Sequence, residues 1–157
     1  MFVYSVRASS IKFFAVIVLT VAVLVGAITI GNSRAVAASG SVGIKFSGIK
    51  TNEDRIEFIS QFGAAVSGEP VETVKFSVPE NFDKVIAGYN EIQKSQGLNL
   101  EKYKNKKVTR YTYRIEKWED HEGPINVNLI VYRSTVIACD VSSVDPTGFV
   151  EPLIKLN

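Results

Sequence analysis

Hydrophobic positions fall into two regimes along this chain. From Phe13 to Ile30 they are continuous: FFAVIVLTVAVLVGAITI, 18 residues without a charge. At a rise of roughly 1.5 Å per residue, such a run spans about 27 Å as a helix, close to the hydrocarbon thickness of a bilayer. Apolar side chains cover every face, so the pattern predicts a membrane-spanning helix rather than a buried core helix. The head before it, MFVYSVRASSIK, carries Arg7 and Lys12 and no acid, and only Arg34 follows closely on the other side. The positive-inside rule puts the head in the cytoplasm and the rest of the chain outside. A cleaved secretory signal is the competing reading. Ala35-Val36-Ala37 fits an A-x-A cleavage site, although the apolar run is longer than the roughly 7–15 residues of a signal core. The expected organisation is a basic head over 1–12, a transmembrane helix over 13–31, a small polar linker over 32–43 and an exported domain over 44–157.

Beyond the linker the apolar positions become periodic. Ile56, Ile59 and Phe62, with Phe58 beside them, predict a helix over Asn52–Phe62, capped by Thr51, with Asp54 in its first turn and Gly63 after its end. Gly68-Glu69-Pro70 predicts a turn. Thr73–Val78 alternates, with Val74, Phe76 and Val78 on one face, and Pro79 ends it. Phe82, Val85, Ile86, Tyr89 and Ile92 predict a second helix, capped by Asn81 and closed at Gln96-Gly97. Tyr111, Tyr113 and Ile115 point one way and Arg110, Thr112 and Arg114 the other, as on a half-buried strand. Two more strands follow, Ile125–Tyr132 and Val136–Val141, joined by a turn at Arg133-Ser134-Thr135. The tail holds a turn signal at Asp145-Pro146-Thr147-Gly148 and ends apolar. Helix, strand, helix and three strands imply an α+β fold: a two-layer domain of two helices covering one face of an antiparallel sheet of about four strands.

Length and charge narrow the classes. Of 157 residues, those after the linker suffice for one domain with a real core. The net charge of +2 rests on Arg7, Lys12 and Arg34; no acid precedes Glu53, which leaves the exported part with 15 basic and 16 acidic residues. That balance gives no argument for nucleic acid. The lone Cys139, within VIACDV, cannot form an internal disulfide and reads as a small core residue.

The pieces TNEDRIEFISQFG, EPVETVKFSVPENFDKVIAGYNEIQKSQGLNLEKY, VTRYTYRIEKW and NLIVYRSTVIACDVSSVDPTGF together resemble a clostridial, Gram-positive family of small N-terminally anchored proteins, catalogued as a domain of unknown function. The resemblance runs from about Ile49 to the C-terminus. It departs from the family pattern at Ala64, where tryptophan is common, and at Ala138-Cys139, where glycines are common. It implies one anchored, exported domain and no activity.

Candidate chemistry is sparse. Lys102–Arg114 holds six basic residues, three tyrosines and no acid. Outside a cell such a stretch suits an anionic wall polymer or lipid headgroup better than nucleic acid. His121, in an acid-rich loop, is the only histidine, and one imidazole falls short of a transition-metal site. No cofactor, no metal and no catalytic residue is expected. Asp140 closes an apolar run, so its carboxylate is either hydrogen-bonded locally or part of a site. Arg110, Arg114, Asn128 and Asp140 are the candidate ligand-binding residues, on the sheet face left open by the helices. The expected function is a non-catalytic binding or interaction module on the outer side of the cytoplasmic membrane. Its partners would be the bilayer, through 13–30, and a cell-surface protein or anionic wall polymer. The alternatives are a small wall-associated hydrolase using an acid such as Asp140, and a secreted protein released by cleavage near Ala37.

Overall fold

Alternation along one strand decides the architecture. In the computed structural model, which describes residues 43–117, 123–145 and 148–154, the strand Lys107–Arg114 (β2) sends Thr112 and Tyr113 to opposite faces of the sheet. Its neighbours are β1 (Glu72–Ser77) and β3 (Ile125–Tyr132), followed by β4 (Thr135–Ser143) and β5 (Val150–Pro152). All five run antiparallel in the order β1-β2-β3-β4-β5. Register carries Tyr113 to Val127 and Val141 on one face, and Thr112 to Asn128 and Asp140 on the other.

The helices lie on different faces. In α1 (Asn52–Ser60), Arg55 donates through Nε to the Tyr113 hydroxyl at 2.7 Å, and Phe58 and Ile59 are fully buried with Tyr113, Val127 and Leu129. In α2 (Lys84–Ser95), Tyr89 bonds Asp140, and the helix packs with Val108, Ile130, Ala138 and Val150. The expected two-layer arrangement is therefore corrected. The sheet is the middle of three layers, with an apolar cluster on each side. Sequence order invited the error, because both helices show a single apolar stripe and nothing in either stripe says which face it meets.

Local chemistry sets the ends of each element. Thr51 Oγ1 accepts from the Asp54 amide at 3.2 Å, and Asp54 Oδ2 accepts from the Thr51 and Lys50 amides at 2.8 Å each. Thr51 is the expected cap, and with Asp54 it closes a capping box. The α2 cap is Asp83 rather than Asn81: its Oδ1 accepts from Val85 and Ile86 at 3.0 and 2.9 Å. A carboxylate there also meets the positive end of the helix dipole, which a neutral Asn does not exploit as well. The β3–β4 turn is shorter than expected. Only Arg133 and Ser134 form it, at φ 45° and 64°, and Thr135 already belongs to β4. Two left-handed residues match the twist of the flanking strands.

The fifth strand is the element absent from the sequence-based expectation. β5 is three residues long and contains Pro152, which an edge position tolerates. It pairs with β4 only from Asp140 to Ser142. Next to it, side chains of α2 take over the same edge. Gln93 Oε1 accepts from the Cys139 amide and Gln96 Nε2 donates to the Cys139 carbonyl, both at 2.9 Å.

Residues 46–49 also tie in. Val136 donates to the Phe46 carbonyl at 2.8 Å and Ile49 to the Ser134 carbonyl at 3.0 Å, and Phe46 meets Phe58 edge-on with ring centres 5.4 Å apart. The expected head, transmembrane helix, most of the linker and His121 lie outside the described residues. Among the described residues no helix is long and apolar enough to cross a membrane.

Candidate functional site

One register row crosses the whole sheet: Glu72, Thr112, Asn128, Asp140 and Pro152 are successive partners from β1 to β5. Period-2 alternation places all five side chains on the α2 face. Three of them form a hydrogen-bonded chain. Thr112 Oγ1 donates to Asn128 Oδ1 at 2.8 Å, and Asn128 Nδ2 donates to Asp140 Oδ1 at 2.8 Å and to Ser142 Oγ at 3.0 Å. From the helix layer Tyr89 donates to Asp140 Oδ2 at 2.7 Å. Both carboxylate oxygens of Asp140 are thus occupied as acceptors, and the residue is 3% exposed.

Burial dominates the electrostatics. Desolvation pushes the Asp140 carboxyl above its usual range, against the opposing pull of the Tyr89 and Asn128 donors and the Arg110 charge. The Tyr89 hydroxyl is pushed far up, first by burial and then by the neighbouring Asp140 charge, so it stays a donor. Arg110, one step along β2, forms an ion pair with Glu72.

The four candidate residues therefore separate. Asn128 and Asp140 touch directly, and Arg110 acts on Asp140 through its charge. Arg114 belongs to the next row, opposite Asn126, whose β4 partner is Ser142. Arg114 Nη1 and Asn126 Oδ1 are both shielded from water and have no hydrogen-bond partner among the described residues.

The basic stretch splits as well. Lys102, Lys104 and Lys106 are exposed before β2 and Lys107 is exposed at its first position, while Arg110 and Arg114 are half-buried further along the strand. Cys139 is fully buried, and desolvation pushes its thiol well above the ordinary range. Among the described residues no group of three or more His, Cys, Asp or Glu side chains could hold a metal.

Sequence reasoning missed a second feature on the opposite face. A cleft of about 250 Å³ is lined by Lys50, Arg55 and Arg133, with Thr109, Tyr111 and Ser134 and an apolar base of Ile49 and Val131. Its three cations come from the start of α1 and the distant β3–β4 turn, so no local run of charge announces it.

Residues 58–141, a little over half of the chain, match the model of a domain of unknown function, DUF4830. The match begins within α1 and ends within β4. No curated protein and no solved structure matches the chain.

Proposed function

Because the chain belongs to the DUF4830 family, whose description assigns no activity, we propose on the chain's own features that it is a non-catalytic binding module. It is tethered by the helix over 13–30 to the outer side of the cytoplasmic membrane. The uncharged apolar run and its basic N-terminal flank support the tether and its orientation. The observation that carries the binding role is the end of the sheet face beyond Asp140. There Arg114 and Asn126 stand side by side, half-buried, each with one polar atom that has no hydrogen-bond partner among the described residues, and such groups are seldom left without a partner. The partner is a polar or acidic segment of a surface protein or an anionic wall polymer, satisfying the Arg114 donor and the Asn126 acceptor together. Asp140 supports the non-catalytic half of the reading. A buried carboxylate with both oxygens engaged is a poor acid, base or nucleophile.

The test is a photo-crosslinking residue at position 126 of the full chain in its native membrane, with the same residue at exposed Lys84 as the control. A discrete adduct at 126, absent at 84 and lost with Arg114→Ala, supports the module. Equal or no labelling at both positions overturns it.

A further inference from the structure

We propose that the cleft on the α1 face is a binding site for a phosphate group. Its walls converge from three places: the residue before the α1 cap (Lys50), the first turns of α1 (Arg55) and the β3–β4 turn (Arg133 and Ser134). All three charged residues of the lining are cations. The carboxylates nearest along the chain are Glu53 and Asp54, and neither lines the cleft. Asp54 is turned onto the Thr51 and Lys50 amides in the helix cap. Glu53 and Asp54 feel the Arg55 and Lys50 charges respectively. Among the described residues neither Lys50 nor Arg133 forms an ion pair; Arg133 stands at the rim, its guanidinium 5.2 Å from the centre of the Tyr132 ring.

Arg55 is preorganised. Its guanidinium lies 3.8 Å above the Tyr111 ring, its Nε donates to Tyr113 at 2.7 Å and its Nη2 reaches Asn52 at 3.4 Å. A guanidinium held flat in this way leaves its remaining nitrogen for a ligand at little further loss of freedom. Thr109 and Ser134 add hydroxyl donors to the same lining. Lys50 and Arg55 with two hydroxyl-bearing residues, and Arg133 at the rim, match a dianionic, several-oxygen group better than a single carboxylate. At about 250 Å³ the cleft falls below the roughly 300 Å³ where pockets for whole drug-sized ligands begin. It therefore suits the phosphate of a larger molecule, either a soluble phosphate ester or a lipid headgroup.

The backbone points the same way. Arg133 and Ser134 both adopt left-handed conformations that Asn and Gly occupy with less strain. Arg133→Asn should therefore hold the turn at least as well while removing one cation from the cleft. This separates binding from folding, and it is independent of the sheet-face reading above.

The experiment uses the full chain in phosphatidylcholine nanodiscs, titrated with inorganic phosphate and with glycerol phosphate against sodium chloride of equal ionic strength. Saturable binding that weakens about tenfold in Arg133→Asn and in Lys50→Gln, with unfolding midpoints not lowered in Arg133→Asn and with Lys107→Gln unchanged, supports the site. Nanodiscs containing phosphatidylglycerol then identify the source. Weakened phosphate binding in them assigns the site to a headgroup, and unchanged binding assigns it to a soluble ester. No saturable binding up to roughly 50 mM phosphate, or equal binding by wild type, Arg133→Asn and Lys50→Gln, overturns the proposal.

Discussion

Tyr89 and Asp140, 51 residues apart in sequence, meet at 2.7 Å where the α2 layer touches the sheet. The bond ties Tyr89 to the sheet beside the Gln93 and Gln96 contacts with Cys139, and it leaves Asp140 with its second oxygen for Asn128. Tyr89→Phe removes the donor and keeps the ring. A buried acceptor then goes unsatisfied, and the loss should be about 2 kcal/mol in urea denaturation at pH 8. A loss below about 0.5 kcal/mol, the ordinary range of surface substitutions, would show that the bond does not hold the layers together.

The same carboxylate sets a pH signature. Asp140 binds its proton more tightly in the folded protein than in the unfolded chain, because burial raises its pKa. Its contribution to stability is therefore full at low pH, and it is lost as pH rises from the unfolded carboxylate range through the raised folded value. Asp140→Asn keeps a hydrogen-bonding side chain without the charge. The stability of wild type minus that of Asp140→Asn should decline as pH rises above the unfolded carboxylate range, and level off once pH exceeds the raised folded value. Glu53 and Asp54 have lowered values and the opposite sign, their contribution being lost on acidification; they are present in both proteins and cancel. A difference that is flat or rises with pH would contradict the burial account.

Gln93 is fully buried and accepts the Cys139 amide. Gln93→Leu fills the same space with no acceptor. The expected loss is about 1–3 kcal/mol, with hydrogen exchange at the Cys139 amide accelerated more than at the β3-paired amides of β4. Exchange at Cys139 equal to wild type would mean that water or another group satisfies it.

Cys139 itself should be inert. Its thiol is buried and its pKa is raised by desolvation, so the thiolate that reacts is scarce. A disulfide reagent such as Ellman's should label it only at the rate of unfolding, and in full at once in denaturant. Prompt labelling of the native protein would count against the packing described for β4.

Much of the fold is legible because its physics is local. Thr51 and Asp54 form a capping box that can be read three residues apart, and the alternation in β2 and β3 marks a buried side before any partner is known. What fails is what depends on distant partners. Asp83 and Asn81 are equally plausible caps on paper, and only the helix start distinguishes them. β5 carries no pattern of its own, because three residues with a proline become a strand only when β4 offers an edge. The candidate site shows the same division. Asn128 and Asp140 meet because register pairs them, while Tyr89 looks like one more apolar residue on a helix stripe. Arg55 is hidden in the same way: an arginine within an amphipathic helix gives no sign that it stacks on Tyr111 and hydrogen-bonds Tyr113.

The treatment of β4's outer side has a consequence for how the molecule keeps to itself. An uncovered strand is a template on which another chain can build. Here the template is interrupted three times: by residues 46–49 bridging to its start, by two glutamine carboxamides that imitate one more peptide unit, and by a three-residue stub bearing a proline. None of these parts offers an intruding strand the long run of free amides and carbonyls it would need. The described sheet can therefore grow only past β1, where Lys75 and Glu72 stand exposed and a docking chain would have to accommodate charges of both signs. At high concentration, the self-association to expect is through that one side.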